Sequence, residues 1–258
     1  MAKLPPFPGT TGRRDWRTAF DAIKKLLANG DDTTQVFIIM RALNGAATPK
    51  NYERLLRTPD GARQAYERVE LAADLFSDPA FVASFKPGTV GAAYRDWLAE
   101  TGYSAQGLAE VSNLDGLEKP IPHPYAWFGR RTRDVHDIWH VLTGYKADET
   151  MGEAALVAFS FAQTRGMGWA LIGVGAALKS IRATGGRLFA RAVWEGYRQG
   201  KRARWLLGED YAALMHEPLD KARRRLRIGE PVAYRRAQRA LGPALASYAS
   251  RPKEAALA

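Results

Sequence analysis

The chain has 258 residues, 46% of them hydrophobic and none of them cysteine. That is enough apolar material for a real core, which excludes bulk disorder, and the lack of thiols excludes disulfides and thiolate metal sites; any metal must be held by His, Asp and Glu. A net charge of +11, from 38 basic and 27 acidic residues, points to phosphate-rich partners, nucleic acid or anionic lipid, without separating the two.

The opening MAKLPPFPGTTGRRDW has neither the apolar run of a signal peptide nor the amphipathic character of a transit peptide. Residues 1–14 are read as an N-terminal tail and a cytoplasmic address is expected. Trp16, Phe20, Ile23 and Leu27 then recur at helical spacing up to Asn29-Gly30, and Asp31-Asp32-Thr33 offers caps for a second helix through Val36, Phe37 and Met40 that halts near Asn44-Gly45. Further helices are predicted from Pro49 to about Arg57, from Gly61 to Phe76, and from Thr89 through Tyr94, Trp97 and Leu98, with Gly or Pro between them. Residues 114–124 are proline-rich and aperiodic, and separate two halves. No strand is predicted. The expected fold is all-α, a single multi-helix domain over residues 15–240, followed by a frayed tail at 241–258. The most apolar window, Gly166 to Leu178, is well short of the ~18 to 20 residues that crossing a bilayer requires.

The second half opens on HDIWH, which puts two of the four histidines one helical turn apart. With about 100° per residue, His136, Asp137 and His140 fall within one arc of roughly 100°. Imidazole nitrogen and carboxylate oxygen suit zinc, iron, manganese or cobalt, and a His pair at i, i+4 is the device that helical metalloprotease motifs use. A lone pair of this kind is more commonly two partly buried histidines bonded to backbone or carboxylates. A further carboxylate follows, because Glu153 opens the apolar stretch AALVAFSFA and a short loop returns it beside the histidines; glutamate is also favoured at a helix start by the dipole alone.

At these residues the chain resembles the Coq4 family of ubiquinone biosynthesis proteins, whose hallmark is HDxxH followed by eleven residues and a glutamate. HDIWH is intact, and RRTRDVHDIWHVLTGY, GEAALVAFSFAQ, DDTTQVFIIMRALNG and YRQGKRARWLLGEDYAALMHEPLDKARRRLRIGEP are similar to bacterial members. The resemblance covers roughly residues 15 to 230. Twelve residues separate His140 from Glu153 here, the extra one lying in the YKADETM loop, where Asp148 and Glu149 are competing carboxylates. The resemblance implies a divalent metal ion, zinc first, with iron, cobalt or manganese also compatible, held by His136, Asp137, His140 and Glu153 as the catalytic set. It implies metal-dependent oxidative decarboxylation of a polyprenylated benzoate, in which a carboxyl at ring carbon C1 is exchanged for a hydroxyl.

The substrate's tail needs an apolar groove, for which Phe159, Phe161, Trp169, Phe189, Trp194 and Tyr197 are the candidates; ordinary core packing is the competing account of most of them. Basic clusters at RRTR (130–133), KRAR (201–204), KARRRLR (221–227) and YRRAQR (234–239) read either as solvated helix faces or as a headgroup-facing collar. The segment Ile181 to Trp205 mixes Arg182, Arg187, Arg191, Arg198, Lys201 and Arg202 with large apolar residues. The expected partners are a polyprenylated ubiquinone precursor, an anionic membrane surface on the cytoplasmic face of the inner membrane, other ubiquinone biosynthesis enzymes and a second copy of the chain in a homo-oligomer. No nucleic acid is expected, since no nucleic-acid recognition motif is found. Two alternatives stand beside this: a non-catalytic lipid-binding scaffold, and an HD-type phosphohydrolase, which needs a separate upstream histidine for which His123 is a poor candidate.

Overall fold

The computed structural model of the chain describes residues 13–30, 32–107, 109, 123–181 and 185–246. Most of the expected N-terminal tail, the cap Asp31, residues 114–122 of the proline-rich stretch, Arg182 and residues 247–258 of the tail lie outside them.

The first two helices follow their local signals. Helix α1 (Trp16–Ala28) is capped by Asp15, whose carboxylate accepts from the Thr18 amide at 3.0 Å and from the Thr18 hydroxyl at 2.7 Å, and α2 spans Thr33–Leu43. Helix α3 (Ala47–Leu55) comes next. The stretch predicted as one helix from Gly61 to Phe76 divides instead into α4 (Gly61–Glu67) and a π-helical turn at Leu71–Leu75, with Arg68 left-handed between them (φ 48°). The division is tertiary in origin. Trp127 Nε1 donates to the Val69 carbonyl at 3.2 Å, Asp134 accepts from the Ala72 amide at 3.2 Å, and Arg130 grips Glu70 through two bonds.

A short helix that the periodicity did not announce, α5 (Pro79–Ala83), precedes α6 (Val90–Thr101), where Thr89 accepts from the Ala92 amide as the cap. Helix α7 (Pro124–Asp134), also unannounced, has proline in its first turn and runs through Val135 almost directly into α8 (His136–Thr143). Helices α9 (Thr150–Thr164), α10 (Met167–Ile181) and α11 (Gly186–Arg202), a 3₁₀ turn at Leu206–Gly208, α12 (Tyr211–Met215), α13 (Leu219–Leu226) and α14 (Val232–Ala246) complete the order. Among the described residues the only extended pairing is one isolated bridge, Thr89 with Pro218.

Helix α9 is the axis of the packing. Its sequence is apolar nearly all round, so it must be enclosed, and Met151, Ala155, Leu156, Phe159 and Ser160 have no exposed surface. Its Leu156 and Phe159 join the larger core with α3, α8 and α11, while Val157 joins a smaller one formed by α1, α2 and Ile172 of α10. The approach of α11 to α9 requires glycine. A Cβ on Gly196 would stand 2.1 Å from the Ala155 carbonyl oxygen, and one on Gly200 would stand 2.5 Å from that of Phe159. Small residues four apart thus let the two backbones touch, and the first turn of α9 is held fixed against the rest of the molecule.

Candidate metal centre

The histidines sit on a short helix with one face committed to the core. Ile138 and Leu142 are fully buried, and Trp139, also buried, donates its indole N–H to the Tyr211 hydroxyl at 2.8 Å. Helix α8 ends at Gly144, left-handed with φ 75°, and Arg223 covers its open end by donating to the carbonyls of Val141 (3.0 Å) and Leu142 (2.9 Å). The chain returns through residues 145–149 into α9. Gly152 lies so close to the loop that a Cβ would stand 2.0 Å from the Lys146 carbonyl oxygen. This tight closure places Glu153, the next residue, against the histidines.

Three side chains converge. His140 Nε2 lies 3.4 Å from Glu153 Oε1 and His136 Nε2 lies 3.7 Å from Glu153 Oε2; one donor atom from each residue falls within 4.8 Å of the others. Ligands about 2.1 Å from a tetrahedral zinc stand roughly 3.4 Å apart, so the two histidine–glutamate separations fit one ion, and the remaining donor pair, within 4.8 Å, has to draw together around it. The His140 ring supplies the test of fit. Its Nδ1 lies 2.8 Å from the Tyr145 carbonyl, which only accepts, so Nδ1 carries a proton and, in the neutral ring that binds a metal, Nε2 presents the lone pair. That Nε2 is buried and makes no hydrogen bond of good geometry, as expected of a metal-ligating atom.

The side chain of His140 is 1% exposed, that of His136 12% and that of Glu153 41%, so the cluster opens to solvent on the glutamate side. Burial drives the Glu153 carboxyl upward, but the charge of His140 and the close approach of both imidazoles outweigh it and hold the group well below the usual carboxylate range. Burial drives His140 downward and is likewise outweighed, by the charge and close approach of Glu153, the charge of Asp137 and the Tyr145 carbonyl, so that its imidazole titrates above the ordinary value. Solvent at the exposed glutamate weakens both effects.

Asp137, expected as a fourth ligand, is not among the converging donors. A quarter turn of helix separates it from His136, whereas the loop brings Glu153 in beside the two imidazoles. Asp137 is buried, and desolvation pushes its carboxyl up to about 6 against the pull of His136 and His140. The competing loop carboxylates are also placed elsewhere. Glu149 accepts from the Tyr234 hydroxyl at 2.8 Å and from Gln238 at 2.8 and 3.0 Å, and Asp148 is exposed.

The chain's other two histidines are remote from this chemistry. His123 caps α7, its Nδ1 accepting from the Tyr125 amide, and His216 packs edge-on against Phe81 and Phe85. No further histidine joins the cluster among the described residues, as an HD-type phosphohydrolase would need.

The six candidate lipid residues differ in their surroundings. Phe159 is fully buried edge-on to Trp139, and Phe189 is buried in the same core. Phe161 stacks on Tyr197, and Tyr197 meets Trp194 at a 31° tilt, a row that reaches the surface where Trp194 is 59% exposed. Trp169 instead stacks on His136. The basic clusters separate too: Arg130 and Arg133 pair with Glu70 and Asp134, and Arg131 is buried with its guanidinium on Gln64 and the Glu209 carbonyl. RRTR is therefore a structural element of the interior. Sequence reading missed the role of Trp97, which stacks on His140 from α6, and those of Tyr145 and Arg223; only the spacing of Trp97 with Tyr94 and Leu98 on a predicted helix hinted at an inward face.

The family profile described as "Coenzyme Q (ubiquinone) biosynthesis protein Coq4" matches residues 20–232. The chain belongs to the Coq4 family. Among Coq4 relatives, the ubiquinone biosynthesis protein COQ4 homolog of Danio rerio is 31% identical over 183 residues, covering 69% of this chain and 63% of the zebrafish protein. The corresponding protein of Pyrenophora tritici-repentis is 30% identical over 209 residues, covering 76% of this chain and 68% of the fungal one. Both are named as mitochondrial proteins. The chain thus spans just under two thirds of the length of the zebrafish relative. A crystal structure from Nostoc punctiforme, 20% identical, superposes with a TM-score of 0.62 over 84% of this chain and 100% of the other, a likeness of fold.

Proposed function

We propose that His136, His140 and Glu153 hold a divalent metal ion, zinc first, and that this Coq4 chain uses it in ubiquinone head-group maturation, replacing the C1 carboxyl of a polyprenylated benzoate by a hydroxyl: carbon dioxide leaves, one atom of dioxygen becomes the hydroxyl oxygen, and an external two-electron reductant with two protons takes the other to water. Family membership supports the pathway. The observation that carries the metal reading is the buried, unbonded His140 Nε2, whose lone pair is directed by the Tyr145 carbonyl on the far side of the ring. When bound, the ion would supply Lewis acidity toward the ring carboxylate.

The chain's own groups account for the rest. Tyr145 keeps the proton on Nδ1 of His140. Glu153, held ionised by the imidazoles, stands on the open side and sets the charge that an incoming carboxylate meets. Asp137, with its carboxyl near 6, is the group beside the cluster that changes protonation close to neutral pH. Trp97 and Trp169 cover the imidazole faces and exclude water from them.

Action at an anionic membrane surface is part of the same proposal. Arg187, Arg191, Trp194 and Arg198 recur at i, i+4, i+7 and i+11 on the exposed side of α11, and the neighbouring α10 exposes Val174, Leu178 and Ile181 at 55–60%. Among the described residues no helix is long and apolar enough to cross a membrane. The chemistry is tested by incubating purified, metal-reconstituted protein with a prenylated 4-hydroxybenzoate derivative in air and analysing the product by mass. Loss of carboxyl with gain of hydroxyl supports the enzyme; no conversion by a protein shown to carry its metal refutes the decarboxylase and leaves the lipid-binding scaffold.

A further inference from the structure

We infer that Trp97 and Trp169 are positioning residues that set the planes of the two ligand imidazoles, and that Trp169 takes over for His136 the part a hydrogen bond plays for His140; this rests on the metal reading above. Each histidine lies against one indole in nearly the same geometry. The His136 and Trp169 rings are 5.5 Å apart at 16°, and the His140 and Trp97 rings are 5.9 Å apart at 16°, while the two imidazoles stand at 90° to each other. Offset stacking at these separations favours one ring plane over its rotations.

The indoles are themselves held. Trp97 is stacked from behind by Tyr94 at 6.1 Å and 16° and met edge-on by Tyr103 at 5.6 Å. Trp169 lies over Gly166, where a Cβ would stand 3.1 Å from its Cδ1. The clamp therefore joins α6 from the first half of the chain to α10 from the second across the metal cluster.

The two histidines differ in what else orients them. A metal-ligating histidine ordinarily donates its second ring nitrogen to a carbonyl or carboxylate, which fixes the ring. His140 has this bond to Tyr145. His136 does not: its Nδ1 is buried and no described protein group bonds it. Apart from the Glu153 contact and the edge-on His140 ring at 5.1 Å, the Trp169 face is what holds the His136 ring, so loss of Trp169 loosens the plane of a ligand while loss of Trp97 leaves its partner ring tied.

The experiment measures zinc affinity by competition with a chromophoric chelator, and the visible bands of the Co²⁺-loaded protein, for wild type, Trp169→Leu, Trp169→Phe, Trp97→Leu and Gly166→Ala, with circular dichroism to establish folding. Trp169→Leu is expected to weaken zinc by about tenfold or more, the loss typical of an orienting partner, and to alter the Co²⁺ bands. Trp169→Phe should restore both toward wild type, and Trp97→Leu should cost less. Gly166→Ala crowds the indole without deleting it and should shift affinity in the same direction, which keeps the test open should the leucine variant not fold. The inference is overturned if wild type binds zinc but the folded Trp169 and Gly166 variants match it, or if phenylalanine costs as much as leucine. A wild type that binds neither ion overturns the metal reading itself.

Discussion

The tightest test of the architecture is Gly196→Ala. The substituted Cβ would stand 2.1 Å from the Ala155 carbonyl oxygen and 2.9 Å from its carbonyl carbon. Ordinary contact begins near 3.4 Å, so α11 must retreat from α9 by about 1.3 Å. Helix backbone lies on both sides of the contact, and no flexible side chain can swing away. Overpacking of this kind costs about 3 kcal/mol, of which the better helix propensity of alanine returns ~1 kcal/mol. The net loss of about 2 kcal/mol corresponds to a fall in Tm of roughly 4–8 °C for a chain of this size. The control is Gly129→Ala, inside α7, where a Cβ meets nothing within 4 Å; here only the propensity gain applies, and Tm should rise by roughly 2–4 °C. Thermal melts followed by circular dichroism at one pH compare the pair. If Gly196→Ala melts at or above wild type, the close approach of α9 and α11 is wrong, and with it the account of how the Glu153 helix is held.

Glu153→Gln should abolish zinc binding and also lower the stability of the metal-free protein near neutral pH, because the imidazoles hold the ionised carboxyl below its usual range. Glu149→Gln should leave zinc binding intact while lowering stability, because Glu149 is committed to Tyr234 and Gln238; the reverse ranking in paired zinc titrations would show that the extra loop residue has exchanged the two carboxylates. Asp137→Asn should stabilise the metal-free protein near pH 8. The folded state raises this carboxyl from 3.8 to about 6, so it binds the proton more tightly folded than unfolded, and stability is lost as pH rises through that window; the gain is on the order of 2–3 kcal/mol above pH 7 and vanishes below about pH 4. A pH-independent difference in Tm would contradict this. Replacing Arg187, Arg191 and Arg198 together by Glu should abolish binding to vesicles containing anionic lipid, and wild-type binding should weaken with salt, since exposed charges are screened over ~8 to 10 Å near physiological ionic strength. Vesicle cosedimentation unchanged in the triple variant would remove the α11 face from the membrane proposal.

Which parts of this molecule were written locally is visible element by element. The α1 boundaries follow from the Asp15 cap and Asn29, and α2 begins and ends at Asp32 and Asn44 although Asp32 makes no side-chain capping bond, because caps and helical apolar spacing act within a few residues. The same holds for His136 and His140 one turn apart, and for Glu153 in the first turn of α9. Tertiary structure decided the rest. Periodicity runs unbroken through Gly61 to Phe76, yet the helix breaks at Arg68 because Arg130, Trp127 and Asp134 bond the backbone and side chains beyond it. RRTR carries the composition of an anion-binding patch, and only the fold shows its arginines paired or buried. Phe159 and Trp194 are equally apolar on paper; one ends in the core and the other on the surface, since α11 presses one face onto α9 through Gly196 and Gly200. At the metal cluster, helical phase alone admitted Asp137 as readily as His140. The Gly152 turn and the Tyr145 carbonyl determined which donors meet, and the two tryptophans that cover them come from helices more than thirty residues to either side, a distance over which no local pattern carries information.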